Sequence, residues 1–305
     1  MFGAPPTLNT EIFIRIPDQF RKSGQLSEER IQAGKGNIKT DSYIEGPSFD
    51  RNGNLYLVDI AFGLIFCVTP QGIVNLIAEY DGEPNGLKIH RDGRIFITDH
   101  KKGLLLLDPI SKKIQTLNAR YKTEGFKGLN DLFFSKQGNL FFTDQGQTGM
   151  QDPSGRVFRR NAEGNIECLM SNIPSPNGVV LNPNESFLYV AATRSNSIWR
   201  AMILPDGSIT RAGIFIQMSG GSGPDGLAVD QAGNLFVAHA GFGAVWMFSP
   251  CGEPLLRINS CAGSMTTNLA FGGKDNRDLY ITESETGSVL VARMDIPGNP
   301  MFSHS

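Results

Sequence analysis

The sequence contains no CxxC pair: its four cysteines, Cys67, Cys168, Cys251 and Cys261, are scattered along 305 residues. That pattern excludes a cysteine zinc site and a disulfide framework, so the thiols read as reduced. An excess of one charge is missing too, with 28 Lys and Arg against 30 Asp and Glu and a net charge of −2. General nucleic-acid and anionic-membrane binders need a basic footprint, and neither partner is expected. No apolar run approaches the ~18 residues of a membrane span. The opening "MFGAPPTLNTEIFIRIPDQF" lacks the basic and apolar regions of a secretory signal. These absences predict a cytoplasmic protein that is a monomer or weak homo-oligomer.

Glycine and proline are abundant, at 35 and 17 residues, as in an all-β protein rich in tight turns. The turns recur. "EGPSFDRNGNLYLVD" from Glu45, "NGLKIHRDGRIFITD" from Asn85 and "NDLFFSKQGNLFFTD" from Asn130 share one design. So do "NGVVLNPNESFLYVA" from Asn177, "DGLAVDQAGNLFVAH" from Asp225 and "NLAFGGKDNRDLYITE" from Asn268. The spacings are 40, 45, 47, 48 and 43 residues. Four copies carry a glycine eight residues after the leading residue (Gly53, Gly93, Gly138, Gly233). Each copy is a hairpin signal, followed by a third apolar run and often a fourth.

Four strands per unit of 40–50 residues predict a six-bladed β-propeller with four-stranded blades. Residues 1–305 form one domain in this reading, with blades over 41–295. The sixth copy ends after three strands, so "EIFIRIP" (11–17) is expected to close the ring as its outer strand. Residues 18–40 are polar and read as a loop or lid.

The first strand of a propeller blade lines the central channel. The leading residues Glu45, Asn85, Asn130, Asn177, Asp225 and Asn268 should therefore ring one axis. All six are carboxylates or amides, each with an acceptor oxygen. Such a set, without sulfur or imidazole, suits a hard divalent cation: Ca2+ first, then Mg2+ or Mn2+, with Zn2+ also compatible. A cation would also relieve the repulsion between Glu45 and Asp225. Asparagine before glycine is itself a turn former, so Asn85 and Asn268 are assigned to the substrate side of the site.

The ordered motifs "EGP" (Glu45), "LND" (Asn130), "PNG" (Asn177) and "PDG" (Asp225) on a six-blade repeat resemble the gluconolactonase and senescence marker protein (regucalcin) family over residues 41–295. The resemblance implies a metal-dependent hydrolase opening a sugar or other small lactone to its hydroxy acid. It implies Glu45, Asn177 and Asp225 as ligands of one divalent cation, with Asn130 as a fourth ligand or a holder of water or substrate. Asp225 would double as the base. The cation would polarise the lactone carbonyl and acidify water, a carboxylate would take the proton, and the oxyanion would form against the cation. A non-enzymatic calcium- or ligand-binding propeller and a phosphotriesterase-like hydrolase are the alternatives on this scaffold.

Sugar-lactone members of that family carry an arginine where this chain has Gly128. Phe62, Phe126 and Phe242 fall in loops that could face the site and favour a less polar lactone, or could simply pack. Asp59, Asp99, Asp144, His239 and Glu283 end second strands and read as turn residues. Asp144 and His239 are the substrate-contact candidates among them. His100 is a further candidate at the mouth.

Overall fold

Alternation within the repeats decides how the blades pack. The computed structural model describes residues 3–32, 37 and 39–304. In blade one, the strands Ile44–Phe49, Leu55–Asp59, Leu64–Val68 and Val74–Glu79 form an antiparallel meander from channel to rim. Leu57 and Phe66 point into an apolar layer shared with Ala270 and Val289 of blade six. Val58 and Ile65 point the opposite way, into a layer with Leu87 and Ile97 of blade two. The inner three strands are thus buried on both faces, while the rim strand is partly exposed throughout. Each fully buried Leu or Phe contributes about 1.5–3 kcal/mol, and six such interblade layers make the core.

Blades two to six follow at residues 84–118, 129–173, 176–217, 223–259 and 266–293. The hairpin turns repeat in detail. Gly53, Gly93, Gly138 and Gly233 all adopt positive φ, which glycine does at no steric cost. In the fourth and sixth copies Glu185 and Asn276 take that conformation instead.

The segment Glu11–Arg15 pairs antiparallel with Ser288–Arg293 and completes blade six, as expected. A second N-terminal strand was not foreseen. Thr7–Asn9 adds to the rim of blade five, parallel to Pro254–Asn259. Residues 18–32 hold a 3-10 turn, Asp18–Phe20, and a short helix, Glu28–Gln32. From that helix the Arg30 guanidinium donates to the carbonyls of Ala61 and Gly82, fastening the segment over blades one and two. The end of the proposed lid, at residues 33–36 and 38, lies outside the described residues. At the other end of the channel the C-terminal residues form a plug. Phe302 stacks on Phe134 at 5.1 Å, and Ser303 donates to the carbonyl of Phe49.

Candidate functional site

Every inner strand carries a bulge at the channel mouth. Between Glu45 and Ser48, Leu129 and Leu132, Pro176 and Val179, and Pro224 and Leu227, three steps along the inner strand match two on its partner. Pro84–Gly86 and Thr266–Asn268 gain one residue in the same way. A bulge re-aims the side chains beside it. Here Glu45, Asn85, Asn130, Asn177 and Asp225 come to equivalent positions around the axis. Threonines on second strands fix the ring between blades: Thr98 donates to the carbonyl of Asn130 and Thr143 to that of Asn177, the latter at 2.7 Å.

The sixth position differs from the sequence reading. Gly86, Asp131 and Asn268 each donate their backbone N–H to the threonine of the adjacent strand. Asn268 is therefore equivalent to Asp131, and Thr267 is the ring residue of blade six. The Asn268 side chain is also spent internally. Its Nδ2 donates to Glu45 Oε2 at 2.9 Å and to Asp131 Oδ2 at 3.5 Å, while its Oδ1 accepts from Leu269 N–H. The expected substrate contact is instead a bridge between two carboxylates.

Asp131 was missed by the sequence reading. It lies in a column occupied by glycine in four blades (Gly46, Gly86, Gly178, Gly226), where neighbouring strands nearly touch. A Cβ on Gly178 would meet the Asp225 carbonyl at 2.3 Å. A charged residue in a glycine column was the available signal. The channel thus holds three carboxyls, Glu45, Asp131 and Asp225, buried to within a few per cent or partly so.

Burial, with the charge of Asp131 adding to it, pushes Glu45 up to about 7 against the hydrogen bonds from Gly46 N–H and Asn268. Burial and then the charges of Glu45 and Asp131 hold Asp225 well above the usual carboxylate range, while a hydrogen bond from Asn177 and the Arg194 charge pull it back. Burial also raises Asp131, and the Lys88 ammonium beneath the site opposes that. Lys88 Nζ is anchored on the carbonyls of Pro47 and Leu87. Tyr43, another residue the sequence did not mark, faces the same charges. Burial, Asp225 and Glu45 keep its phenol protonated.

Two of the ring amides, Asn130 and Asn177, keep an oxygen out of the hydrogen-bond network. Asn130 Nδ2 donates to Gln145 Oε1 at 2.8 Å, and Gln145 Nε2 donates to Ser175 Oγ at 2.9 Å. The nitrogen being committed, the Asn130 oxygen is left for a ligand. Asn177 Oδ1 is buried and has no hydrogen-bond partner, a costly state that an acceptor-seeking group would relieve. Among the described residues no three His, Cys, Asp or Glu side chains converge closely enough to chelate a metal unaided. A cation here would need the Asn oxygens as well as Glu45 and Asp225, and that mixed oxygen set fits a hard divalent ion.

Asp144 and His239, the expected substrate contacts, have their polar atoms engaged by neighbouring groups. Asp144 is fully buried and accepts from the Arg156 guanidinium at 2.6–2.7 Å and from Gly128 N–H. His239 accepts at Nδ1 from Trp246 Nε1, so Nε2 donates to the Gly220 carbonyl, and the ring stacks on Phe242 at 4.8 Å. Burial lowers its pKa and keeps it neutral. The aromatic loop residues pack rather than face the site: Phe62 lies in the layer between blades one and six, and Phe126 packs edge-on to Phe142 and Phe158.

Beside the ring, a polar cavity of about 490 Å3 opens between blades two, three and four, with His100, Gln145, Thr148, Gln151, Ser175 and Arg194 on its walls. Gln145 and Ser175 join this cavity to Asn130.

The comparisons with known proteins agree with this architecture. The profile of the SMP-30/Gluconolactonase/LRE-like region matches residues 44–285. A gluconolactonase of Zymomonas mobilis is 31% identical over 273 residues, covering 79% of this chain and 76% of its own length. The lactonase drp35 of Staphylococcus aureus is 32% identical over 227 residues, covering 70% of this chain and 69% of its own. A crystal structure of regucalcin, a calcium-binding protein from Agrobacterium tumefaciens, superposes with a TM-score of 0.76 at 20% identity, covering 98% of each chain. With the ring, the bulges and this match from blade one into blade six, the chain belongs to the SMP-30/gluconolactonase/LRE-like family.

Proposed function

We propose that this protein is a divalent-metal-dependent lactonase. One observation carries the reading: the buried, unpartnered Oδ1 of Asn177 sits in a ring with Glu45 and Asp225, whose carboxyls are burdened by burial and by one another. Glu45, Asn130, Asn177 and Asp225 would hold the cation, calcium being the best match to an all-oxygen set. When bound, such an ion supplies Lewis-acid polarisation of the lactone carbonyl and acidifies water beside it.

The chain's own residues do the remainder. Asp225 takes the proton of the attacking water. Water oxygen bonds to the carbonyl carbon, the ring C–O bond breaks, and the proton passes to the leaving alkoxide to give the hydroxy acid. Gln145 keeps Asn130 turned with its oxygen toward the reaction. The gluconolactonase and lactonase relatives support lactones as the substrate class.

The test is a panel of five- and six-membered lactones after chelation, with calcium, zinc, manganese and magnesium added back singly. Hydrolysis lost on chelation and restored by one ion is expected. Full activity in the chelated protein would remove the metal from the reaction. Tight metal binding without turnover of any lactone would favour a binding protein.

A further inference from the structure

Gly128 enters the inner strand of blade three with φ +145°, a conformation that side chains rarely adopt. Its backbone is fixed from both sides. The N–H donates to Asp144, and the carbonyl accepts from the N–H groups of Gln145 and Gly146. A Cβ at this position would lie 2.2 Å from His100 Cε1, 2.5 Å from Nδ1 and 2.6 Å from Nε2. The imidazole of blade two thus occupies the space that a side chain on residue 128 would need. The His100 backbone is held there by a hydrogen bond from its N–H to the Glu83 carbonyl.

His100 shares the polar cavity with Arg194. Arg194 sits in a 3-10 turn, Thr193–Ser195, clamped to the site by Thr193. Thr193 N–H donates to the Ser175 carbonyl and its Oγ1 donates to the Pro224 carbonyl at 2.8 Å, one residue before Asp225. The Arg194 side chain is exposed, and among the described residues no hydrogen bond or ion pair within 4 Å engages its guanidinium. Among the described residues the cavity walls include this cation, several amides and hydroxyls, and no carboxylate. Such a lining accepts an anion or a hydroxyl-rich group, and a guanidinium with no hydrogen-bonded partner among the described residues favours the anion.

We propose that Arg194 and His100 form a recognition pair for an anionic substituent, a carboxylate, on the lactone that enters the channel mouth, and that glycine at 128 is what admits His100 to that pair. This rests on the reading of the channel mouth as a lactone site. Selectivity then comes from the loops of blades two and four.

D-Glucaro-1,4-lactone and D-glucono-1,4-lactone are a matched pair for the test, because they differ only in a carboxylate or a hydroxymethyl group at C6. The wild-type protein should favour the carboxylate lactone by about tenfold or more in kcat/KM, the scale of one charge-assisted contact. Arg194→Gln should collapse that ratio toward one, chiefly through KM. His100→Ala should reduce it by less, and Gly128→Ala should reduce it by displacing the imidazole. Thermal melting verifies that each variant folds. A wild-type ratio near one, or a ratio kept in Arg194→Gln, overturns the proposal. Calorimetric binding of the two unopened lactones to the chelated protein reads the same preference without turnover. If no lactone is hydrolysed, a preference for the glucarolactone that is lost in Arg194→Gln still supports the pair, and equal binding overturns it.

Discussion

Two sets of acids repeat around this propeller, both buried, and they differ in the partners of their oxygens. The outer set, Asp59, Asp99, Asp144 and Glu283, ends the second strands. Its members are fully buried, yet each accepts hydrogen bonds from loop N–H groups or hydroxyls nearby: Tyr43 and Ser42 for Asp59, Glu83 and Tyr80 for Asp99, Gly128 for Asp144, Thr286 for Glu283. The inner set, Glu45, Asp131 and Asp225, is raised by burial and by its own members. The outer acids hold the loops that shape the mouth. The inner acids are held by the fold in a state that a cation would relieve. Residue type and repeat phase do not separate the two roles; the partners of the oxygen atoms do.

The sharpest way to break this comparison is to exchange charge for amide in the inner set. Asp225→Asn should lower kcat on a lactone by about 10²–10⁴-fold, the usual range for a general base. It should also leave the melting temperature of the chelated protein equal or higher, since one of three mutually repelling carboxyls is gone. Unfolding of this variant at clearly lower concentrations of urea than wild type would mean Asp225 belongs with the outer set.

The converse test is Asp144→Ala. It strands the Gly128 N–H and takes from Arg156 its buried partner, leaving only the exposed Glu124 and the Gly125 carbonyl, and breaking a buried pair typically costs about 3–5 kcal/mol. Urea unfolding should show that loss while the folded fraction still binds metal.

A smaller effect, common to both sets, is read through pH. Glu45 has a higher pKa folded than unfolded, so its protonated form stabilises the fold. That contribution is full below the ordinary value of 4.5 and is lost as pH rises through about 7. Asp59, raised to about 6 by burial, acts in the same direction. The chelated protein should therefore be less stable at pH 8 than at pH 5, by about 1–3 kcal/mol. Calcium should offset the loss increasingly as pH rises, because it binds the ionised form. Equal melting at both pH values in chelator would remove the burial strain from Glu45 and Asp59 alike. The smallest shift is expected for Lys88→Met, about 1–2 kcal/mol of stability in chelator, through the Pro47 and Leu87 carbonyls left without their donor.

Much of the fold was legible because the blade repeat imposes its own punctuation. Turn glycines, hairpins and the missing sixth outer strand all follow from local chemistry. The strand Thr7–Asn9 was not legible, since three residues carry no period and the pairing is with a rim strand far along the chain. Five of the six mouth residues could be aligned from their motifs. The sixth slipped by one because "TTN" offers an asparagine beside the threonine that occupies the ring. Asp131 and Gln145 stayed hidden because one stands among glycines and the other acts only by turning Asn130. Arg194 and Tyr43 come to the site through loop geometry that no repeat encodes.

The N-terminal strands carry one further consequence. Ile12 pairs with Leu290 and Leu8 with Ile258. During synthesis, then, Thr7–Arg15 emerges before any blade and waits for the sixth to leave the ribosome. At about 5–20 residues per second, that delay lasts tens of seconds. Four or five blades can assemble meanwhile as an open arc with an unpaired edge, exposed to other chains. The ring then closes by capture of a segment made before every blade, and misassembly in the cell should concentrate at that seam.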